Sequence, residues 1–281
     1  MTAFTTDTIT RGYEADTTRR VPVHIFYRFL EHQRWTAMCE ADSGLPELVD
    51  HGHFFVVRRQ RLVLERAIGQ AVPLRTYMWC EHVGRSSIEV AHEVRRRTDG
   101  AVVARAQVNG LWLGPSRRLT RIPNELRAYM ASLSAPPEIE PDLVALVGPA
   151  QGERLESSYI RPPELLLTPP VLDTLRPPSL EVPEDAHRYE LTVRPSDLDI
   201  FNHVNAATYL EFCDDARLAA TAAGIGAWDA PVDGAAIHYH QETIVHDRVT
   251  VHTKEVAPGV LTFVLSVGGE ARCTAMLALR G

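Results

Sequence analysis

The stretch RPSDLDIFNHVNAATYLEF, Arg194 to Phe212, sets Asp197, Asp199, Asn202, His203 and Asn205 directly ahead of an amphipathic run. The same arrangement occurs earlier in the chain. RGYEAD, Arg11 to Asp16, and RPSDLD, Arg194 to Asp199, both read Arg-x-x-acid-x-Asp, and each leads through a short turn into a long amphipathic segment. In the first segment, VHIFYRFLEHQRWTAM, Ile25, Phe26, Phe29 and Leu30 share one stripe that Trp35 and Met38 continue. In the second, NAATYLEFCDDARLAATAAG, the stripe is Ala206, Tyr209, Leu210, Cys213, Ala216 and Leu218 or Ala219, and Gly224 is a suitable stop. Both fit the 3.6-residue period of a helix with one buried face, and glycine closes helices because it accepts the left-handed conformation there.

Strand-like segments follow each helix. The first half has FFVVRRQRLVLERA, PLRTYMWCEHV, SSIEVAHEVRRR and VVARAQVNGLWL, the last two joined by the hairpin turn TDG. The second has GAAIHYHQETIV, RVTVHTKEV, VLTFVLSVG and ARCTAMLALR, with turn signals at APG and GG. Matching RLVLERAIGQAV to HYHQETIVHDRV aligns Glu65 with Glu242. Between the halves runs an interval rich in proline, too long for a loop inside one compact domain. The organisation is therefore residues 1–134, a linker over 135–186, and residues 187–281. A sheet with one face to hide takes the long helix across it, and two copies protect their edges by pairing. The expected fold class is α+β, each half a long helix on an antiparallel sheet, the two halves forming a pseudo-dimer.

Composition narrows the function. Of 281 residues, 45% are hydrophobic and 23% charged, and no window reaches the roughly 18 apolar residues of a membrane span. The start, MTAFTTDTITRGYEAD, has neither the basic nor the apolar region of a secretory signal. Cys39, Cys80, Cys213 and Cys273 are scattered without metal spacing and read as reduced core thiols, so a cytoplasmic protein is expected. A net charge of −7 opposes nucleic acid and anionic membranes as partners. Three arginine clusters stand out: Arg58, Arg59 and Arg61; Arg95, Arg96 and Arg97; Arg117, Arg118 and Arg121. They read as solvated strand and loop charges or as a landing site for an acidic partner.

A strand, a D-x-D-x-x-x-H-V-N turn, a long helix and a meander together are what hotdog-fold thioesterases look like, and SDLDIFNHVNAATYLEF resembles their signature. The two-copy layout, with RGYEADTTRRVPVHIFYRFLEHQRWTAM and the closing segment SRRLTRIPNELR, resembles the acyl-acyl-carrier-protein thioesterases of plant plastids and bacteria. The resemblance implies a tandem hotdog fold that acts in fatty acid biosynthesis and lipid metabolism. It implies a catalytic second half and a first half that shapes the acyl pocket. It carries the family's aspartate onto Asp199, its histidine onto His203 and its strand glutamate onto Glu242. Where the family has an asparagine two residues after the aspartate, this chain has Phe201, so the carboxamide comes from Asn202, from Asn205, or is lacking. Acyl carrier protein is the implied partner, docking on arginine clusters, with the chain a monomer or homodimer.

Thioester hydrolysis needs an activated water or a carboxylate nucleophile, a general acid–base, and donors for the oxyanion. Asp199 can orient partners or attack, His203 can relay a proton, and Glu242 can hold or deprotonate water. Backbone N–H groups at the helix start near Asn205 can polarise the carbonyl. Phe201, Asn205, Tyr209 and His240 are the expected substrate contacts. Taken singly, Asp199 and Asn205 read as turn and cap residues, His203 as a structural histidine and Glu242 as a solvated carboxylate. Their joint occurrence points to chemistry. The first half has TTRR at the matching turn and reads as silent, and Tyr13, Phe26, Phe29, Trp35 and Trp79 read as core or pocket wall. His238 and His240, two apart on a strand with His246, Asp247 and His252 downstream, make only a weak metal signature, and no G-x-S-x-G elbow is present. No metal or organic cofactor is expected. The competing functions are an acyl-CoA thioesterase with the same site and a non-catalytic acyl-binding hotdog protein.

Overall fold

The computed structural model describes residues 3–40, 45–136, 165–166, 172–226 and 230–279. The chain divides into two compact units, Met1–Val57 with Leu64–Leu167, and Arg58–Val63 with Thr168–Gly281. Much of the proline-rich interval expected over 135–186 lies outside the described residues.

The first unit holds β1 (Phe4–Ile9), a 3-10 turn (Gly12–Glu14), α1 (Val23–Glu40) and α2 (Leu45–Asp50). The strands β2 (Phe54–Leu64), β3 (Arg66–Ala67), β4 (Pro73–Val83), β5 (Ser87–Arg96) and β6 (Val102–Leu113) follow, then α3 (Asn124–Ser132) and β7 (Leu165–Leu166). β1, β4, β5 and β6 pair antiparallel in that order. α1 packs on β1 and β4. Its buried stripe runs through Phe26, Leu30, Gln33 and Ala37, with Trp35 and Met38 only partly covered. Gln33 is a buried amide on an otherwise apolar face. Its Nε2 donates to the carbonyls of Phe4 (3.0 Å) and Thr76 (2.7 Å), and its Oε1 lies 2.9 Å from His92 Nδ1. With both amide protons committed, Oε1 must accept, so His92 carries its proton on Nδ1. One glutamine thus ties the helix to two strands and sets the tautomer of a buried imidazole. Tyr13, expected in the core, is 79% exposed, with the Arg11 guanidinium over its ring.

The second unit takes residues Arg58–Val63 of β2 and adds a 3-10 turn (Leu172–Thr174), β8 (His187–Thr192), a 3-10 turn (Pro195–Asp197) and α4 (Thr208–Thr221). It closes with β9 (Val232–Tyr239), β10 (Arg248–Ala257), β11 (Val260–Val267) and β12 (Glu270–Leu279). The order is β2 segment, β9, β12, β11, β10, β8, antiparallel throughout. α4 lies against β8, β10 and β12 and buries Tyr209, Leu210, Phe212, Cys213, Ala216 and Ala220. The stripe ends on Ala220, not on Leu218, which is 56% exposed. Burying a leucine or phenylalanine fully contributes about 1.5–3 kcal/mol, so Leu210 and Phe263, both at 0% exposure, anchor this unit. Where the linker rejoins the described residues, Leu175 packs with Val63, Ala236 and Ala278.

The edge strands β1 and β8 lie outside the segments read from alternation, although β8 takes the place of the strand that the resemblance puts ahead of the turn. Each is six residues long with strict alternation of half-buried and exposed positions. All four cysteines are free, and Cys213 and Cys273 are buried as expected, whereas Cys39 is exposed. Among the described residues no helix is long and apolar enough to cross a membrane.

Candidate active site

The turn Asp199–Val204 is built from its own backbone. The Asp199 N–H donates to the His203 carbonyl (2.8 Å) and the Asn202 N–H to the Asp199 carbonyl (3.1 Å). Asp199 Oδ1 accepts from the N–H groups of Phe201 (2.8 Å) and His203 (3.3 Å). Asn202 sits at φ 61°, a left-handed position that asparagine tolerates better than most residues. Ahead of the turn, Asp197 is buried and takes the Arg194 N–H (2.7 Å) and guanidinium (2.8 Å).

The Val204 N–H donates to the Thr243 carbonyl at 2.8 Å. That bond fastens the turn to the loop beyond β9, and Glu242 is the residue before Thr243. As a result His203 Nε2 lies 3.1 Å from Glu242 Oε2, with the imidazole 22% and the carboxylate 55% exposed. Glu242 does not arrive from within a strand: β9 ends at Tyr239, and the loop gives the carboxylate its reach to solvent.

The first unit repeats this turn bond for bond. The Asp16 N–H donates to the Arg20 carbonyl (2.9 Å), the Arg19 N–H to the Asp16 carbonyl (2.8 Å), and the Val21 N–H to the Ile68 carbonyl (2.9 Å). Asp16 Oδ1 accepts from the N–H groups of Thr18 (2.8 Å) and Arg20 (3.2 Å), and Arg19 takes the left-handed position at φ 65°. Arg20 therefore stands where His203 stands. Counted from the shared docking bond, the residue matching Glu242 is Ala67. Glu65 matches His240 instead, which corrects the alignment read from sequence.

The remaining expected residues divide. Asn202 is exposed, and its described role is the backbone conformation. Asn205 Oδ1 accepts the Ala207 N–H (2.9 Å) and its carbonyl accepts the Thr208 N–H (3.0 Å), so it shapes the approach to α4. α4 begins at Thr208, and the Asn205 N–H goes to the Asp197 carbonyl (2.9 Å). Of the N–H groups just before the helix, that of Ala206 is without a partner among the described residues. Tyr209 is buried, its ring edge-on to Tyr239 at 5.6 Å, and burial pushes its phenol far up, so it is a neutral wall. Tyr239, which with His240 is the strand residue expected to line the site beside Glu242, donates its hydroxyl to the Ala206 carbonyl (2.8 Å) and accepts from Gln60 Nε2 (3.1 Å). His240 turns away from the pair, with Nε2 3.3 Å from Thr274 Oγ1 and its ring 4.5 Å from His238. Burial, then His240, Arg58 and Arg59, push His238 down to about 4, and burial with Arg58 also lowers His240. Among the described residues no three His, Cys, Asp or Glu side chains gather as a metal site.

Residues 193–266 match the family model described as thioesterase-like superfamily. Over the whole chain the fold is similar to solved structures that include the following three. A protein described as an oleoyl thioesterase from Lactobacillus plantarum has a TM-score of 0.73 at 18% identity, covering 99% of this chain and 95% of that one. An acyl-ACP thioesterase from Bacteroides thetaiotaomicron has 0.70 at 17%, covering 98% and 97%. The 12:0-ACP thioesterase from Umbellularia californica has 0.69 at 16%, covering 99% and 97%. No curated protein sequence matches the chain. Likeness at this identity shows the fold, a tandem hotdog of the kind these thioesterases share.

Proposed function

We propose that the chain hydrolyses acyl thioesters, with His203 as general base and Glu242 as the carboxylate that orients it. The observation that carries this reading is the 3.1 Å contact between His203 Nε2 and Glu242 Oε2, two residues from separate segments. Glu242 accepts the Nε2–H, which leaves the Nδ1 lone pair to take a proton from water. The water oxygen bonds to the thioester carbonyl carbon, the C–S bond breaks, and His203 returns its proton to the departing sulfur. The Ala206 N–H is the backbone donor available to the oxyanion. General base action of this kind is worth about 10²–10⁴-fold. Asp199 is a positioning residue, since its carboxylate is engaged by the turn's own N–H groups, as Asp16 is in the unit without a histidine. Phe201 offers apolar surface to the acyl group, Tyr209 backs the turn from the core, and Asn202 and Asn205 act through the backbone they shape.

The preferred substrate is an acyl chain on acyl carrier protein, and the free acid and holo-carrier are the products. Likeness to two proteins described as ACP thioesterases supports that choice of carrier over coenzyme A. Residues 187–281 are the catalytic half and residues 1–134 the half that shapes the acyl site. Arg20 and Ala67 in place of the catalytic pair support that division. The test is a turnover assay across acyl lengths on both carriers, with His203→Ala and Glu242→Ala as controls. Thiol release by the wild type and its loss in both variants is expected. A folded wild-type protein that hydrolyses none of the thioesters, or variants that match it, would end the reading.

A further inference from the structure

The three arginine clusters separate once their partners are known. In the first, Arg58 donates to the Tyr239 carbonyl and Arg61 pairs with Asp173 at 3.2 Å. In the second, Arg95 pairs with Glu93, Arg96 with Asp99, and Arg97 with Asp7 at 3.2 Å. Arg61, Arg95, Arg96 and Arg97 thus meet carboxylates inside their own units, and Arg58 meets a backbone carbonyl.

The third cluster is built differently. The Arg117 N–H donates to the Gly114 carbonyl (2.8 Å), the Gly114 N–H to the Arg118 carbonyl (3.0 Å), and Leu113 bridges Leu119. Arg117 takes the left-handed position at φ 56°. A loop closed on its own backbone holds its side chains outward. The Ile122 N–H donates to the Arg85 carbonyl at 2.9 Å, which brings a fourth arginine alongside, one that no sequence cluster contained. Arg85, Arg117, Arg118 and Arg121 are all exposed. Arg121 reaches Asn124 Oδ1 at 3.4 Å, and among the described residues no carboxylate pairs with Arg85, Arg118 or Arg121. Between them Leu119 is 59% exposed. A chain of net charge −7 thus carries a preformed cationic loop with an apolar tooth.

We propose that this loop docks the acidic carrier protein that delivers the acyl group, with its carboxylates on Arg85, Arg118 and Arg121 and an apolar residue over Leu119. The inference rests on the thioesterase reading above and adds the surface that the carrier uses. An apolar centre inside a charged rim is how transient protein partners are recognised. A long polyanion such as nucleic acid would meet the repulsion of the whole chain.

The test compares one acyl chain on an acidic acyl carrier protein and on coenzyme A, using the full chain and the triple variant Arg85→Glu, Arg118→Glu, Arg121→Glu. At low ionic strength KM for the carrier-linked substrate should rise about tenfold or more with kcat kept, and the coenzyme A kinetics should stay within about twofold. The difference should shrink at about 0.5 M salt, where exposed charges are screened. Leu119→Ser alone should raise the same KM a few-fold. Equal loss on both carriers, or none on the carrier protein, overturns the docking surface. Binding of labelled carrier protein to the His203→Ala chain, read by fluorescence anisotropy, gives a separate readout if no thioester turns over. Saturable binding lost in the triple variant upholds the surface, and absent or unchanged binding overturns it.

Discussion

Glu242→Gln isolates the charge of the proposed catalytic pair. Glutamine keeps an oxygen that can accept the His203 Nε2–H, so the ring stays oriented, and only the negative charge beside the forming imidazolium is lost. Two unit charges about 4 Å apart attract by about 1 kcal/mol in water and about 4 kcal/mol at an effective dielectric of 20. The pair is 3.1 Å apart, but the carboxylate is 55% exposed, which puts the value toward the lower end, about 1.5–2 kcal/mol. Each 1.36 kcal/mol is tenfold in rate, so kcat should fall by about 10- to 30-fold with KM little changed. His203→Ala should cost more, about 10²-fold or beyond, because the base itself is gone. The double variant should be no slower than His203→Ala, since the glutamate then has nothing to orient. Steady-state kinetics on a single acyl thioester, with circular dichroism to confirm folding, decides it. Two results would refute the reasoning: Glu242→Gln within about twofold of wild type, or losses that multiply in the double variant.

Asp199→Asn keeps an oxygen for the Phe201 and His203 N–H groups and should retain activity within about fivefold. Asp199→Ala leaves both donors unmet at about 0.5–1.5 kcal/mol each and should lower both stability and rate. An Asp199→Asn variant as inactive as His203→Ala would show that the carboxylate takes part in the chemistry. Asp16→Ala should destabilise by a similar amount, measured by urea unfolding, without lowering kcat. His92, 1% exposed, is held well below the usual 6.5 by burial first and by Arg34 second. Its folded value is depressed, so below about pH 6.5 the unfolded chain binds the extra proton and stability falls as pH falls; above pH 7 the effect vanishes. Urea midpoints between pH 7.5 and 5.5 should drop, and His92→Gln should flatten that slope whatever its own stability. An unchanged slope would remove His92 as its source.

The helices and most strands were legible because burial repeats locally. β4 spans the segment PLRTYMWCEHV read from alternation, and α1 and α4 follow their apolar periods. β1 and β8 escaped because FTTDTI and HRYELT carry few apolar residues to alternate, and what makes them strands is partners distant in sequence, β4 and β10. Ion pairs such as Arg61 with Asp173 and Arg97 with Asp7 are equally non-local, which is why three similar arginine clusters turned out to differ: the second is ion-paired throughout, the first meets a carboxylate at Arg61 and a backbone carbonyl at Arg58, and the third is an outward loop. The role of Asp199 is the instructive case. Its distance from His203 in sequence fits a catalytic dyad, and only the turn geometry reveals that Oδ1 of the carboxylate is taken by its own backbone. Yet the chain held a clue, since Asp16 recurs at the matching place without a histidine. A residue present in both copies serves what both copies do, which is to close the turn that is then fastened to the segment beyond a strand. A residue found in one copy alone is free to serve what that copy alone does, and in the proposed mechanism His203 against Arg20, and Glu242 against Ala67, are where the two units part.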